Sequence, residues 1–124
     1  METFITRKYL REHPSHIFVF GDNTLHKGFK GAAMLSDEPN SFGFITKKYP
    51  RGDNDAFYHP SEYQYVYERE IEKLVKAIQD NPKKIYMISK LGAGLANRFR
   101  IFEKVIEPSI KVLLSKYSNV IFLW

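Results

Sequence analysis

The 124-residue sequence predicts an α/β domain of three layers, a largely parallel central sheet covered by helices, and three observations carry that expectation. Short apolar runs rich in β-formers recur along the chain. Two longer segments show the spacing of amphipathic helices. Strands and helices alternate, which implies βαβ crossovers. At 44% hydrophobic content, residues 1–124 are long enough for one ordinary core and too short for two, so a single domain is expected.

The first strand is expected at 16–20 (HIFVF), ending in turn chemistry at Gly21-Asp22-Asn23. Residues 42–46 (FGFIT) and 84–89 (KIYMIS) read the same way, and 119–124 (NVIFLW) closes the chain as a further buried strand. The strongest helix follows Ser61. Ser61 and Gln64 have capping-box spacing, and Tyr63, Tyr67, Ile71, Leu74, Val75 and Ile78 fall on one face, with a stop near Asn81-Pro82. A second helix is expected over 99–116, kinked or split by Pro108, and a shorter one starts within 31–37. Residues 49–60, with Pro50, Gly52 and Pro60, read as a surface loop and a candidate rim for a site. Residues 1–14 carry no assigned role.

Nineteen Lys and Arg against fourteen Asp and Glu give a net charge of +5, which favours anionic partners without naming one. The chain has no cysteine, so disulfides, thiolate zinc sites and cysteine nucleophiles are excluded. The N-terminal segment is charged throughout and no run approaches the roughly 20 apolar residues of a membrane span, so a soluble, unprocessed, cytosolic protein with no membrane partner is expected. His13, His16, His26 and His59 lack metal-ligand spacing and read as structural or surface residues, and no metal is expected. Tyr58, Tyr63, Tyr65 and Tyr67 offer rings for stacking on a base, with helix-face packing the alternative for Tyr63 and Tyr67. Basic and acidic residues are interspersed and no nucleic-acid recognition module is present, so direct nucleic-acid binding is not expected.

Three segments have the chemistry to hold a phosphate-containing nucleotide. In 19–33 (VFGDNTLHKGFKGAA) a strand ends in Gly-Asp-Asn and small residues open the next helix; exposed N–H groups there can hold a phosphate, with Lys27 and Lys30 adding charge. The plainer reading is a tight turn whose Gly and Asn tolerate positive φ. In 88–99 (ISKLGAGLANRF) a strand runs into Gly-x-Gly before a helix, with Arg98 and Arg100 close behind. It lacks the third glycine of a dinucleotide fingerprint and the Gly-Lys-Ser/Thr of a triphosphate loop. In 42–50 (FGFITKKYP) Lys47 and Lys48 follow a strand, suited to binding phosphate, to acting as an amine nucleophile, or to plain solvation.

In this order and spacing the three segments resemble a macrodomain, closest to the terminal ADP-ribose protein glycohydrolase type and to small phage-encoded macrodomain-like proteins. The resemblance implies a macrodomain-like fold that binds ADP-ribose or a related NAD-derived nucleotide, free or on an ADP-ribosylated macromolecule, with no cofactor. It implies that Asp22, Asn23, Gly28, Gly31 and Ala32 hold the distal ribose and phosphates, with Asn23 on the ribose. Leu91, Gly92, Ala93, Gly94 and Leu95 would wrap the diphosphate, with Asn97 beside them. Ile45-Thr46-Lys47 matches the run that carries the glycohydrolase's lysine nucleophile, which makes Lys47, and Asp22 as a substitute acid, the catalytic candidates of an ADP-ribosyl hydrolase. The family's aspartate after Gly-x-Gly-Leu is here Ala96, which can move no proton, and Asn97 has no useful titration. Binding without turnover is therefore the leading expectation. The alternatives are that hydrolase and a non-catalytic protein that sequesters a nucleotide signal, as in phage counter-defence.

Overall fold

The computed structural model describes residues 4–27 and 34–124. The elements in chain order are α1 (Arg7–Glu12), β1 (His16–Asn23), β2 (Ser41–Lys47), α2 (Pro60–Asp80), β3 (Ile85–Ile88), α3 (Ile110–Leu114) and β4 (Val120–Phe122). A 3₁₀ turn at Asn54–Ala56 precedes α2 and a π-helical turn at Phe102–Ile106 precedes α3. The strands form one sheet in the order β2-β1-β3-β4, and every pair is parallel.

Alternation along the strands divides the apolar side chains between two faces. Ile17, Val19, Phe44, Tyr86 and Ile88 belong to the larger cluster, with Tyr63, Tyr67, Leu74 and Ile78 of α2 and the residues around α3. Phe18, Phe20, Met87 and Leu123 belong to a second cluster with Ile5, Leu10 and Leu35. The N-terminal segment thus has a role: α1, capped by the Thr6 hydroxyl, covers the second face and makes the third layer. It is pinned by Glu38, a buried carboxylate that accepts from Arg7 at 2.8 Å and from Arg11 at 3.0 Å. Asn40 adds a second tie by donating to the carbonyls of Leu10, His13 and His16.

Several elements depart from the sequence reading. β1 runs on through Gly21-Asp22-Asn23, because these residues pair with Phe44, Ile45 and Lys47, with a register shift between Asp22 and Asn23; the turn starts after them. β2 and β4 are edge strands, and β4 is half-buried where a fully buried strand was expected. α2 starts at Pro60, two residues before the Ser61 cap expectation allows: Glu62 accepts from the His59 backbone N–H at 2.9 Å, and Pro60 sits where its missing N–H costs nothing. The expected helix over 99–116 is split at Pro108 as foreseen, but its first part is π-helical. Pro108 has no N–H to give the Lys104 carbonyl, and the Glu107 N–H bonds instead to Phe102 O, five residues back, at 2.7 Å. The 49–60 segment is only partly a surface loop: Ala56, Phe57 and Tyr58 are buried. Tyr58, Tyr63 and Tyr67 are core residues, not open stacking rings. The short helix expected within 31–37 falls partly outside the described residues.

α2 also closes the β2 edge. The backbone N–H and C=O of Ile45 both turn away from β1; the N–H donates to Glu70 Oε1 at 2.7 Å and the carbonyl accepts from the Tyr63 hydroxyl at 2.5 Å. An open parallel edge is a template for association, and two buried side chains remove its central donor and acceptor. Glu70→Ala leaves that N–H unsatisfied and is expected to cost about 1–3 kcal/mol in urea unfolding. Lys73→Ala, which removes only the exposed partner of Glu70, should stay within about 0.5 kcal/mol.

Candidate functional site

Parallel strands end on one edge of the sheet, so Asn23, Lys47 and Ile88 bring the three sequence-predicted segments to the same rim. The connection from β1 leads outward to β2, while the connection from β3 leads to β4 on the opposite side. The strand order therefore reverses between β1 and β3, and the crevice beyond their carboxyl ends is where ligands gather in open α/β sheets. The turn that follows β1 and the Gly92–Gly94 turn that follows β3 stand on either side of it.

On the β1 side the polar groups are occupied in building the turn. The Asn23 side chain accepts from Leu25 N–H at 3.0 Å and donates to Lys27 O at 2.6 Å, an Asx-type turn that holds 23–27. Asp22 is buried; Oδ1 accepts from Asn23 N–H at 2.8 Å and Oδ2 contacts His26 Nδ1 at 2.6 Å. His26, read from the sequence as structural or surface, is exposed on this turn in a left-handed conformation, φ 53°. Gly28, Gly31 and Ala32 lie outside the described residues.

On the β3 side, Ser89 anchors the turn to β1 through its N–H and hydroxyl, both donating to Val19 O at 3.2 and 2.7 Å. Gly92 has φ 79°, a conformation that favours glycine, and a Cβ there would lie 2.7 Å from Ile106 Cδ1, so that side-chain end would have to shift as well. Gly94 has open space around it. Leu91 and Ala96 point into protein, and Leu95 is exposed. The turn does not open directly onto a helix as expected. It continues through Arg100, itself left-handed at φ 64°, and the next element starts after Asn97 has prepared it. Asn97 Oδ1 accepts from Phe102 N–H at 3.1 Å, and its Nδ2 donates to both oxygens of Glu103. Its side chain thus caps the π-helical turn.

The third wall is the end of β2. Lys47 is half-buried with Nζ 4.7 Å from the centre of the Phe57 ring. Lys48 pairs with Glu62 at 3.0 Å. Hydrogen bonds join the three segments into a continuous rim: Thr24 N–H to Lys48 O at 3.2 Å, Lys48 N–H to Ala56 O at 2.9 Å, and Arg98 to Gly52 O and Asn54 Oδ1 at 2.8 and 3.0 Å. The Arg98 guanidinium also stacks over Phe57 at 4.2 Å. The 49–60 segment is therefore the strap that bridges the two sides, and Arg98 is its buckle. In the sequence Arg98 is notable only for following the Gly-x-Gly segment; its geometry gives it a tethering contact that no local pattern announces.

Among the described residues no group of His, Asp and Glu could hold a metal ion, and no helix is long and apolar enough to cross a membrane. A groove of about 410 Å³ lies on the opposite edge of the sheet, lined by Leu10, Arg11, Ile17, Glu38, Asn40 and Lys84. Two rim carboxylates are held below the usual range: Glu62 by the His59 backbone N–H and then Lys48, and Glu103 first by the Asn97 amide. Burial pushes the hydroxyls of Tyr58 and Tyr63 up, so neither supplies a proton near neutrality.

Residues 1–99 match a family of unknown function, DUF7831. The chain belongs to that family. The DUF7831 match spans α1 through the second glycine turn and so includes all three segments of the rim, stopping short of the π-helical turn, α3 and β4. No curated protein and no solved structure matches the chain.

The two glycines of this DUF7831 chain should separate sharply. Gly92→Ala is expected to cost at least about 1–2 kcal/mol in chemical unfolding, while Gly94→Ala should stay within about 0.5 kcal/mol. The rim carboxylates set a pH dependence. Because the folded values of Glu62 and Glu103 are depressed, the folded state binds fewer protons than the unfolded chain. Their contribution is complete above the unfolded value, about 4.3, and is lost as pH falls through the folded values. Urea midpoints measured from pH 7 to about 3 should fall in that acid range, and less steeply in Glu62→Gln.

Proposed function

We propose that this protein is a macrodomain-like module that binds ADP-ribose or a related NAD-derived nucleotide in the crevice between β1 and β3. The single observation that carries the reading is that the turn following β1 and the Gly92–Gly94 turn following β3 flank the point where the strand order reverses. The rim supplies what a diphosphate needs. Gly92 lets the backbone turn at the end of β3, Gly94 leaves the following backbone uncovered, and Lys27, Lys47, Lys48, Lys90 and Arg98 stand on the surrounding segments. Exposed Leu25 and Leu95, one on each turn, offer apolar contact to a base or sugar.

Binding without turnover is the reading that fits the acids. Ala96 is buried and apolar where the resemblance implies an aspartate, and both oxygens of Asp22 already have protein partners. Lys47 is assigned to a phosphate or the distal ribose. Titration calorimetry with ADP-ribose should give a saturable heat, and Lys47→Ala should weaken binding by about tenfold, as expected for loss of one charge-assisted contact. Absence of both heat and thermal stabilisation at millimolar ADP-ribose would sink the reading. Loss of the adduct when carboxylate-linked ADP-ribosylated protein is incubated with the wild type would show that the site also hydrolyses.

A further inference from the structure

The contact of Asp22 with His26 is more deliberate than a surface ion pair. Asp22 is a strand residue with its carboxylate turned inward, and the room for it is made by its neighbour: a Cβ at Gly43 would lie 2.6 Å from Asp22 Oδ2 and 3.2 Å from Asp22 Cβ. The carboxylate is fixed from a second side by Asn23 N–H. His26 reaches it only because its backbone takes the left-handed region, uncommon outside glycine and stabilised here by the Asn23 side chain and by the His26 N–H to Asn23 O bond at 3.0 Å. A strained residue, a glycine that clears space and a buried acid thus converge on one imidazole that stays 70% exposed.

An ionised carboxylate only accepts, so a 2.6 Å contact requires the proton on Nδ1. In the neutral ring that leaves Nε2 as the lone-pair nitrogen of an exposed side chain on the turn that follows β1, held in one tautomer. We propose that His26, and not Asp22, is the residue of the first turn that meets the ligand: Nε2 accepts a hydrogen bond from a sugar hydroxyl, and Asp22 is a positioning residue behind it. The inference rests on the nucleotide-binding reading of the same crevice. It also changes how Asp22 is understood, since a carboxylate with both oxygens engaged acts through the ring it orients. Gly43 belongs to the same device, as the absent side chain that lets Asp22 sit there.

The test uses the full chain labelled with ¹⁵N and long-range correlation spectra of the histidine rings. Without ligand, His26 should show a protonated Nδ1 and a bare Nε2, and Asp22→Asn should bring the two tautomers toward equal population. Adding ADP-ribose should move the Nε2 resonance in the direction of an accepted hydrogen bond. His26→Asn, which keeps a residue tolerant of the left-handed backbone, should weaken ADP-ribose binding about tenfold while the amide spectrum remains that of the folded protein. Two results would overturn the inference alone: a mixed tautomer in the wild type, or backbone shifts at Gly92 and Lys48 on adding ADP-ribose while His26 Nε2 stays put. No ADP-ribose response anywhere would remove the nucleotide reading and this inference with it, although the tautomer result would still report on the dyad.

Discussion

The whole arrangement depends on β1 pairing along both of its edges. Because β2 adds on one side and β3 on the other, the chain must cross over β1 once, and the connections from β1 and β3 must part in opposite directions. In open α/β sheets such a parting is where a crevice forms, and parallel pairing puts the carboxyl ends of the strands along one rim. The doubly covered sheet follows from the same fact. A central parallel strand has no wet face, which is why Ile17 and Val19 pack toward α2 while Phe18 and Phe20 pack toward α1.

The edges and the rim are finished by polar side chains with paired duties. Glu70 and Tyr63 close the exposed backbone of Ile45, and Glu38 fastens α1 through two arginines. At the rim, Asn23 shapes one turn, Asn97 caps the element that follows the other, and Arg98 ties the bridging strap to it. Side chains that looked like ligand contacts in isolation are thus partly scaffolding.

The layers, the four strands and the split at Pro108 were legible in the sequence because each leaves a local trace: apolar runs, helical periodicity, a missing N–H. The convergence of Gly21-Asp22-Asn23, Lys47-Lys48 and Gly92 to Gly94 was legible too, since strand-to-helix alternation already puts such segments at strand ends. What stayed hidden depends on distant partners. Gly-Asp-Asn has turn composition and still extends β1, because β2 supplies the pairing. The importance of Gly43 is visible only with Asp22 beside it, and His26 gains its meaning from that same carboxylate. A six-residue α1 is too short for periodicity to reveal.

The central claim is that the crevice between β1 and β3 is the binding site. Titrating ADP-ribose into the ¹⁵N-labelled protein and mapping backbone amide shifts tests it most directly. The account predicts that the largest shifts fall at 22–27, 47–48 and 90–98. Shifts confined to the opposite edge, around Arg11, Asn40 and Lys84, would contradict it.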